Sequence, residues 1–394
     1  MKILLLFVIF CAYNVSFAQE IEKIEIPKPS GYNKNLKLSE IASKIDYIPL
    51  ETNAKALLSD HASSTLSKDF IFTVQGGALL QFQRNGKFLR QINLIGKGPA
   101  ECYVRHYTFD EKNQVIYIYN HYVHNILVFG FDGKYQKTIR DPFDKIEGGR
   151  VEYMHCDQKN GNSILFFDNT DGKMQYKYAV MDREGKILHH ELNYDQYTLK
   201  KRILESNILP PQFYTYQDNI HYWHYYNDTV FRINADYKCV PKYVIRIPDR
   251  LTLEEAMKTG AFITPYSELG NKNTINSIYE NNLFLFITYS ANIFNRDRIK
   301  HYWALYDKQN NKLINDIHPE FINDLDGGLN IRHFYNDGSY MWNMLQPIDL
   351  KEKLTASHFA KSKALYPDQQ RKLKSLIDRL DVEDNPVLII ITLK

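Results

Sequence analysis

Residues 80–92 read LQFQRNGKFLRQI and residues 127–139 read LVFGFDGKYQKTI. One pattern is thus written twice, 47 residues apart: an alternating strand, a turn around Gly-Lys, and a second strand. Self-similarity with a period of about 40–50 residues marks stacked supersecondary units, and four short strands per unit is its propeller form. Weaker copies begin at Tyr178 (YAVMDREGKILHHEL), Val230 (VFRINADYKCVPKYVI) and Trp303 (WALYDKQNNKLINDI). Each of the five copies follows a strand introduced by Asp or Asn: DFIFTV from Asp69, NQVIYIYN from Asn113, NSILFFDN from Asn162, DNIHYWHYYN from Asp218 and NNLFLFITYS from Asn281. Upstream of each lies one further short strand, such as RHYTFD from Arg105 or VEYMHC from Val151, which gives four strands per unit.

A sixth unit has to be assembled from distant pieces. NIRHFY from Asn330 and SYMWNM from Ser339 supply its first two strands, VLIIITL from Val387 the third, and IDYIPLE from Ile45 the fourth. Pairing the first strand with the last closes the ring and removes exposed sheet edges. The expected fold is therefore all-β, a six-bladed β-propeller whose amino-terminal strand completes the last blade. Composition agrees, since 29 Tyr and 22 Phe favour strands and a large core.

The first residues carry a different message. Lys2, the apolar run ILLLFVIF and the small residues Ser16 and Ala18 form a leader with a cleavage site before Gln19. Cys11 follows Phe10, where lipoprotein processing wants a small residue, so cleavage after Ala18 is expected rather than lipidation. We read 1–18 as the leader, 19–43 as an amino-terminal extension and 44–394 as one propeller with helical insertions near 251–259 and 367–380. The product is expected in the periplasm or outside the cell. No later stretch is long and apolar enough for a transmembrane helix. Without Lys2 the formal charge of +3 falls to +2, and no basic stripe stands out, so nucleic acid is not an expected partner. Cys102, Cys156 and Cys239 remain, an odd number that reads as buried thiols rather than a disulfide framework.

KIDYIPLETN, NGKFLRQINLIGKGPAE and the terminal EDNPVLIIITLK resemble the six-bladed β-propeller proteins exported by Gram-negative bacteria, relatives of NHL-type and TolB-like propellers. The resemblance covers nearly all of the mature chain. It departs after Glu101, where Cys102 stands before the aromatic Tyr103. It implies the fold and no settled activity.

Strand order decides which loops share a face. With strands a to d running outward, the a–b and c–d turns lie on one side and the b–c loops and d–a crossings on the other. The first set is short, as at Ser67, Arg84, Asp132, Arg183 and Asn336. The second is long: 93–104, 140–150, 193–210, 248–274, 316–329 and the excursion 344–385. Long loops on one face of a rigid scaffold are where binding concentrates. Thr252 and Glu255 form a capping-box pattern, and Pro367 opens a segment with Leu373, Leu376, Ile377 and Leu380 on one helical stripe. These helices are expected to cover the propeller flank, with a lid as the alternative.

Candidate site residues lie where the innermost strands leave the long-loop face: Arg105, His106, Glu152, Tyr214, Arg332 and His333, with Lys97 and Glu101 from the GKGPAE crossing. An Arg-His pair can grip a carboxylate or phosphate, or can plug the channel against neighbouring blades. GKGPAE lacks the spacing and the Ser or Thr of a P-loop, so its glycines are expected to allow positive φ and its Glu to satisfy backbone donors. His121 and His124 can converge across a loop, whereas His221 and His224 point to opposite faces of a strand. No cofactor or metal is expected. No serine elbow, zinc helix or cysteine nucleophile is written in the chain. Two functions stand: a noncatalytic scaffold that binds a saccharide, peptide or protein, and an extracytoplasmic hydrolase or lyase working at the channel mouth.

Overall fold

The computed structural model describes residues 21–143, 151–167, 169, 172–194, 212–258, 270–332 and 335–394. It is a six-bladed β-propeller. Blade one comprises Ser63–Leu66, Phe70–Gln75, Ala78–Gln83 and Phe88–Gln91; blade two His106–Asp110, Val115–Asn120, Asn125–Gly130 and Tyr135–Arg140. Blade three comprises Val151–Cys156, Ser163–Phe167, Tyr176–Met181 and Ile187–Leu192; blade four Gln212–Tyr216, Asn219–Trp223, Thr229–Ile233 and Cys239–Arg246. Blade five comprises Thr274–Glu280, Phe284–Ala291, Lys300–Asp307 and Lys312–Ile317. Blade six orders Tyr335–Asn336, Tyr340–Leu345 and Val387–Leu393 outward to Ala42–Pro49, so its fourth strand comes from the start of the chain.

That last pairing is antiparallel, with Ile45 opposite Ile391 and Tyr47 opposite Ile389. Six apolar layers then fill the six spaces between neighbouring blades. Leu388 and Ile390 face blade one, packing with Leu66, Ile71 and Phe82, while Ile389 and Ile391 face blade five, packing with Phe286, Trp303 and Leu305. The alternation of one strand thus serves two interfaces.

The repeated Gly-Lys turn has a physical reason. In the c–d turn of blade one, Gly86 has φ +90, and a Cβ there would stand 2.0 Å from the Pro49 carbonyl oxygen of blade six. Glu51 N–H donates to the Gly86 carbonyl across the same contact at 2.9 Å. Gly133 meets Arg90 of blade one and Gly185 meets Ile139 of blade two in the same way. The pattern recurs because each outer turn rests on the preceding blade.

Two features were not expected. Glu22–Glu25 adds to blade four as a fifth strand, parallel to Cys239–Arg246, with Ile24 and Ile26 buried beside it. From there the chain crosses the outer edge of blade five, bridging Lys34 to Ile317 and Lys37 to Ile322, and enters blade six. Secondly, within the blade-six excursion two further helices, Pro347–Lys353 and Ala356–Lys361, precede the expected one at Pro367–Arg379. Leu373, Ile377 and Leu380 pack with Leu350, Leu354 and Val387, so the stripe seen in the sequence is a cover for blade six. Thr252 and Glu255 form the expected capping box on the helix Leu253–Lys258, with Glu255 N–H donating to Thr252 Oγ1 and Thr252 N–H to Glu255 Oε2. The strand expected from Asn330 is instead Tyr335–Asn336; Ile331 makes an isolated bridge to Phe321 and is not part of blade six's sheet. His333 lies outside the described residues, as do parts of the crossings 140–150, 193–210 and 248–274.

Two substitutions test this packing by urea unfolding. Gly86→Ala is expected to lower stability by about 1–3 kcal/mol, because Ala tolerates neither that φ nor the contact with Pro49. Gln81 is fully buried among the apolar residues between blades one and two, and both its amide atoms are unpaired. Gln81→Leu is expected to be neutral or to stabilise by about 1 kcal/mol; a loss above about 1 kcal/mol contradicts the assignment.

Candidate functional site

The innermost strands share a reading frame that the repeat does not reveal. HYTFD, VEYMHC, QFYTY and TINSIYE each carry an aromatic that lines the axis: Tyr107, Tyr153, Phe213 and Tyr279. Arranged around the axis, these residues enclose a cavity of about 500 Å³. Its wall takes Tyr107 and Phe109 from blade two, Tyr153 and His155 from blade three, Gln212, Phe213 and Thr215 from blade four, Ser277 and Tyr279 from blade five, and Tyr335 and Asn336 from blade six. Thr215 and Asp337 also line a second cavity of about 400 Å³ at the short-turn end. Among the described residues, the axis of the ring carries these two cavities.

Ring packing fixes the wall. Tyr153 stacks on Phe213 at 5.5 Å and 14°, and Phe213 lies 3.7 Å from Phe166 behind it. His155 stacks on the same Phe213 at 5.9 Å, and its Nε2 is 3.4 Å from Thr215 Oγ1. Tyr107 donates to the Phe72 carbonyl at 3.4 Å. By contrast, the hydroxyls of Tyr153 and Tyr279 have no hydrogen-bond partner among the described residues. Burial pushes the Tyr279 phenol up to about 12, and Tyr153 and Tyr279 line the same cavity. Burial likewise raises Tyr107 and Tyr153. It lowers the His155 imidazole to about 4, which makes it a neutral, weak base at pH 7.

Beside the cavity, blades four and five are clamped by a buried carboxylate. Glu280 accepts from Lys242 Nζ at 3.0 Å, Lys308 Nζ at 2.9 Å, Tyr243 Oη at 2.7 Å and Tyr214 Oη at 3.2 Å. Both ammonium groups lie over the Tyr216 ring, at 4.9 and 3.9 Å. Burial alone would raise the Glu280 carboxyl, but the two lysines outweigh it and hold it below the usual range. The clamp absorbs both cations.

The residues chosen from the sequence are spread around this cavity rather than gathered in it. Only Tyr214 contributes to the wall, and its hydroxyl is committed to Glu280. Arg105 and Arg332 are exposed, and Glu152 is half-buried one position before Tyr153. His106 packs edge-on against Tyr153 at 5.7 Å, its imidazole lowered by burial and then by Arg105. Lys97 is exposed on the crossing from blade one to blade two. In that crossing the Gly98 N–H donates to Glu101 Oε2 at 2.9 Å, so the protein's own carboxylate occupies the amide a phosphate would need. Gly96 and Gly98 do not have the expected positive φ. They are small because Glu101 folds onto them: a Cβ on Gly96 would lie 1.9 Å from Glu101 Oε2.

His121 packs edge-on to Tyr119 and His106, and His124 Nδ1 lies 3.4 Å from Tyr119 Oη. Among the described residues there is no group of three or more His, Cys, Asp or Glu placed to hold a metal ion. Cys102 and Cys156 are buried, Cys239 is half-buried, and none is in a disulfide. Burial pushes the Cys102 and Cys239 thiols up to about 11, which suppresses thiolate formation at neutral pH.

The family model for DUF4934, a domain of unknown function, matches residues 21–392. The chain belongs to the DUF4934 family. Among solved structures, this DUF4934 protein is similar to a protein of Bacteroides fragilis NCTC 9343 described as exported, at 17% identity and a TM-score of 0.68 over 94% of this chain and 99% of that one. That likeness shows a shared fold. A DUF4221 family member from Bacteroides vulgatus follows at 9% identity and a TM-score of 0.48, over 90% of this chain and 97% of that one. Virginiamycin B lyase from Staphylococcus aureus follows at 11% identity and a TM-score of 0.39, over 76% of this chain and 94% of that one. At that distance neither carries an argument about chemistry. No curated protein matches the chain. Among the described residues, no helix is long and apolar enough to cross a membrane.

His155 gives the DUF4934 site a measurable signature. Its folded value lies below the ordinary 6.5, so unfolding takes up a proton between about pH 6.5 and pH 4. Its contribution is complete above pH 6.5 and is lost as pH falls towards 4. In His155→Gln, the stability lost between pH 7 and pH 5 is expected to be smaller than in the wild type by on the order of 1–2 kcal/mol. An unchanged difference in urea midpoints would mean that His155 is not buried as a neutral ring.

Proposed function

We propose that this DUF4934 protein is an exported, noncatalytic binding module that takes a small ligand into its central cavity. The leader-like residues before Gln19 support export to the periplasm or beyond, as does the exported neighbour from B. fragilis with the same fold. The closure of the ring by an amino-terminal strand supports a place near the NHL and TolB-like propellers.

The observation that carries the reading is the cavity itself. Its volume of about 500 Å³ falls within the range of small-molecule sites, and aromatic rings from five blades surround a few polar groups. Two of the lining residues, Tyr153 and Tyr279, carry hydroxyls with no hydrogen-bond partner among the described residues. The chemistry favours binding over catalysis. The imidazole in the wall is a weak base that contacts Thr215, and Asp337 accepts from the backbone N–H groups of Ser339 and Tyr340 in its own turn. General acid–base work at neutral pH wants a pKa near the working pH.

Thermal unfolding of the mature chain across a panel of sugars, peptides and metabolites tests the proposal. A true ligand at 100 times its Kd is expected to add about 2.7 kcal/mol of stability. Thr215→Trp, which fills the cavity from blade four, is expected to abolish that response. A response that survives Thr215→Trp moves the site elsewhere, and turnover of any responding compound replaces the binding reading with the hydrolase or lyase alternative.

A further inference from the structure

We propose that the ligand is a neutral saccharide held through the phenol hydroxyls of Tyr153 and Tyr279. The inference rests on the cavity reading above and names the chemical class of its occupant.

Aromatic walls bind in several ways, and the packing here separates them. A ring offers its face to a sugar or a cation only where that face is uncovered. Tyr153 is stacked against Phe213 and packed against His106, so the group it turns to the space is its hydroxyl. Tyr279 lines the same cavity from blade five, two blades further round the ring. A phenol hydroxyl both donates and accepts. Two of them across a shared space therefore match a partner whose own groups do both, which is the property of a sugar hydroxyl.

Charge narrows the class. Among the described wall residues there is no lysine or arginine. Two half-buried cations beside the cavity, Lys242 and Lys308, are fixed on Glu280 and the Tyr216 ring. An anionic ligand would enter without a counter-charge, at a desolvation cost nothing in the wall offsets. A cation would meet one carboxylate, Asp337, already accepting from the Ser339 and Tyr340 amides. An uncharged ligand meets none of these costs. Because burial keeps the phenols protonated, the same hydroxyls are present from pH 6 to pH 9.

The test is isothermal titration and thermal unfolding with named probes: maltotriose, xylotriose, mannotriose and diacetylchitobiose as neutral sugars, trigalacturonate as an acidic sugar, acetylcholine as a cation, and trialanine as a peptide. At least one neutral sugar is expected to bind, with an affinity constant from pH 6 to pH 9. Tyr153→Phe and Tyr279→Phe, which keep the ring and remove only the hydroxyl, are each expected to weaken it about threefold to tenfold. The urea midpoints of the unliganded variants check that the fold is intact. Binding confined to trigalacturonate, acetylcholine or trialanine and abolished by Thr215→Trp overturns the saccharide class while keeping the cavity as a site. Neutral-sugar binding unchanged in both Phe variants overturns the role of the hydroxyls. No binding by any probe overturns the inference and the cavity reading together.

Discussion

Everything in this molecule depends on the pairing of Ala42–Pro49 with Val387–Leu393. A propeller blade cannot bury both its faces alone, and each here is completed by its neighbours, so the ring is stable only when closed. The closing strand Val387–Leu393 is apolar on both sides because it faces blade one with Leu388 and Ile390 and blade five with Ile389 and Ile391. Opening that one pair exposes two interfaces at once. The amino-terminal segment extends the lock by crossing blade five and adding a strand to blade four, which ties three consecutive blades to the beginning of the chain.

Closure also creates the site. The innermost strands enclose a cavity among the described residues, and what lines it follows from the side chains those strands turn to the axis. The inter-blade layers take the large apolar side chains, while tyrosines, threonines and amides are left at the axis. The Glu280 clamp illustrates the division of labour, since it fastens blades four and five and removes two lysines from the channel's electrostatics.

Much of this was legible in the sequence. The repeated hairpin, the Asp or Asn before each second strand and the apolar run at the end of the chain gave six blades, their closure and the face bearing the long loops. Other features left no readable mark. Glu22–Glu25 reads EKIE, too short and charged to announce a strand, and it forms one because the outer edge of blade four offers unpaired backbone. Gly96 and Gly98 looked like turn glycines, but only coordinates reveal that the Glu101 side chain needs their space. The site residues were sought at the ends of the innermost strands, where charged pairs stood out. The cavity uses the less conspicuous tyrosines one to several positions further along, at Tyr107, Tyr153 and Tyr279. The aromatic recurring in these strands was the available signal, and it was masked by the general abundance of aromatics in the core.

Amide hydrogen exchange of the two closing strands tests the central claim most directly. If closure is the lock, the amides of Ala42–Pro49 and Val387–Leu393 should exchange only through global unfolding, with the same free energy as the buried strand Val115–Asn120 of blade two. Exchange of Ala42–Pro49 many times faster than that of Val387–Leu393, with the rest of the ring still protected, would contradict the account.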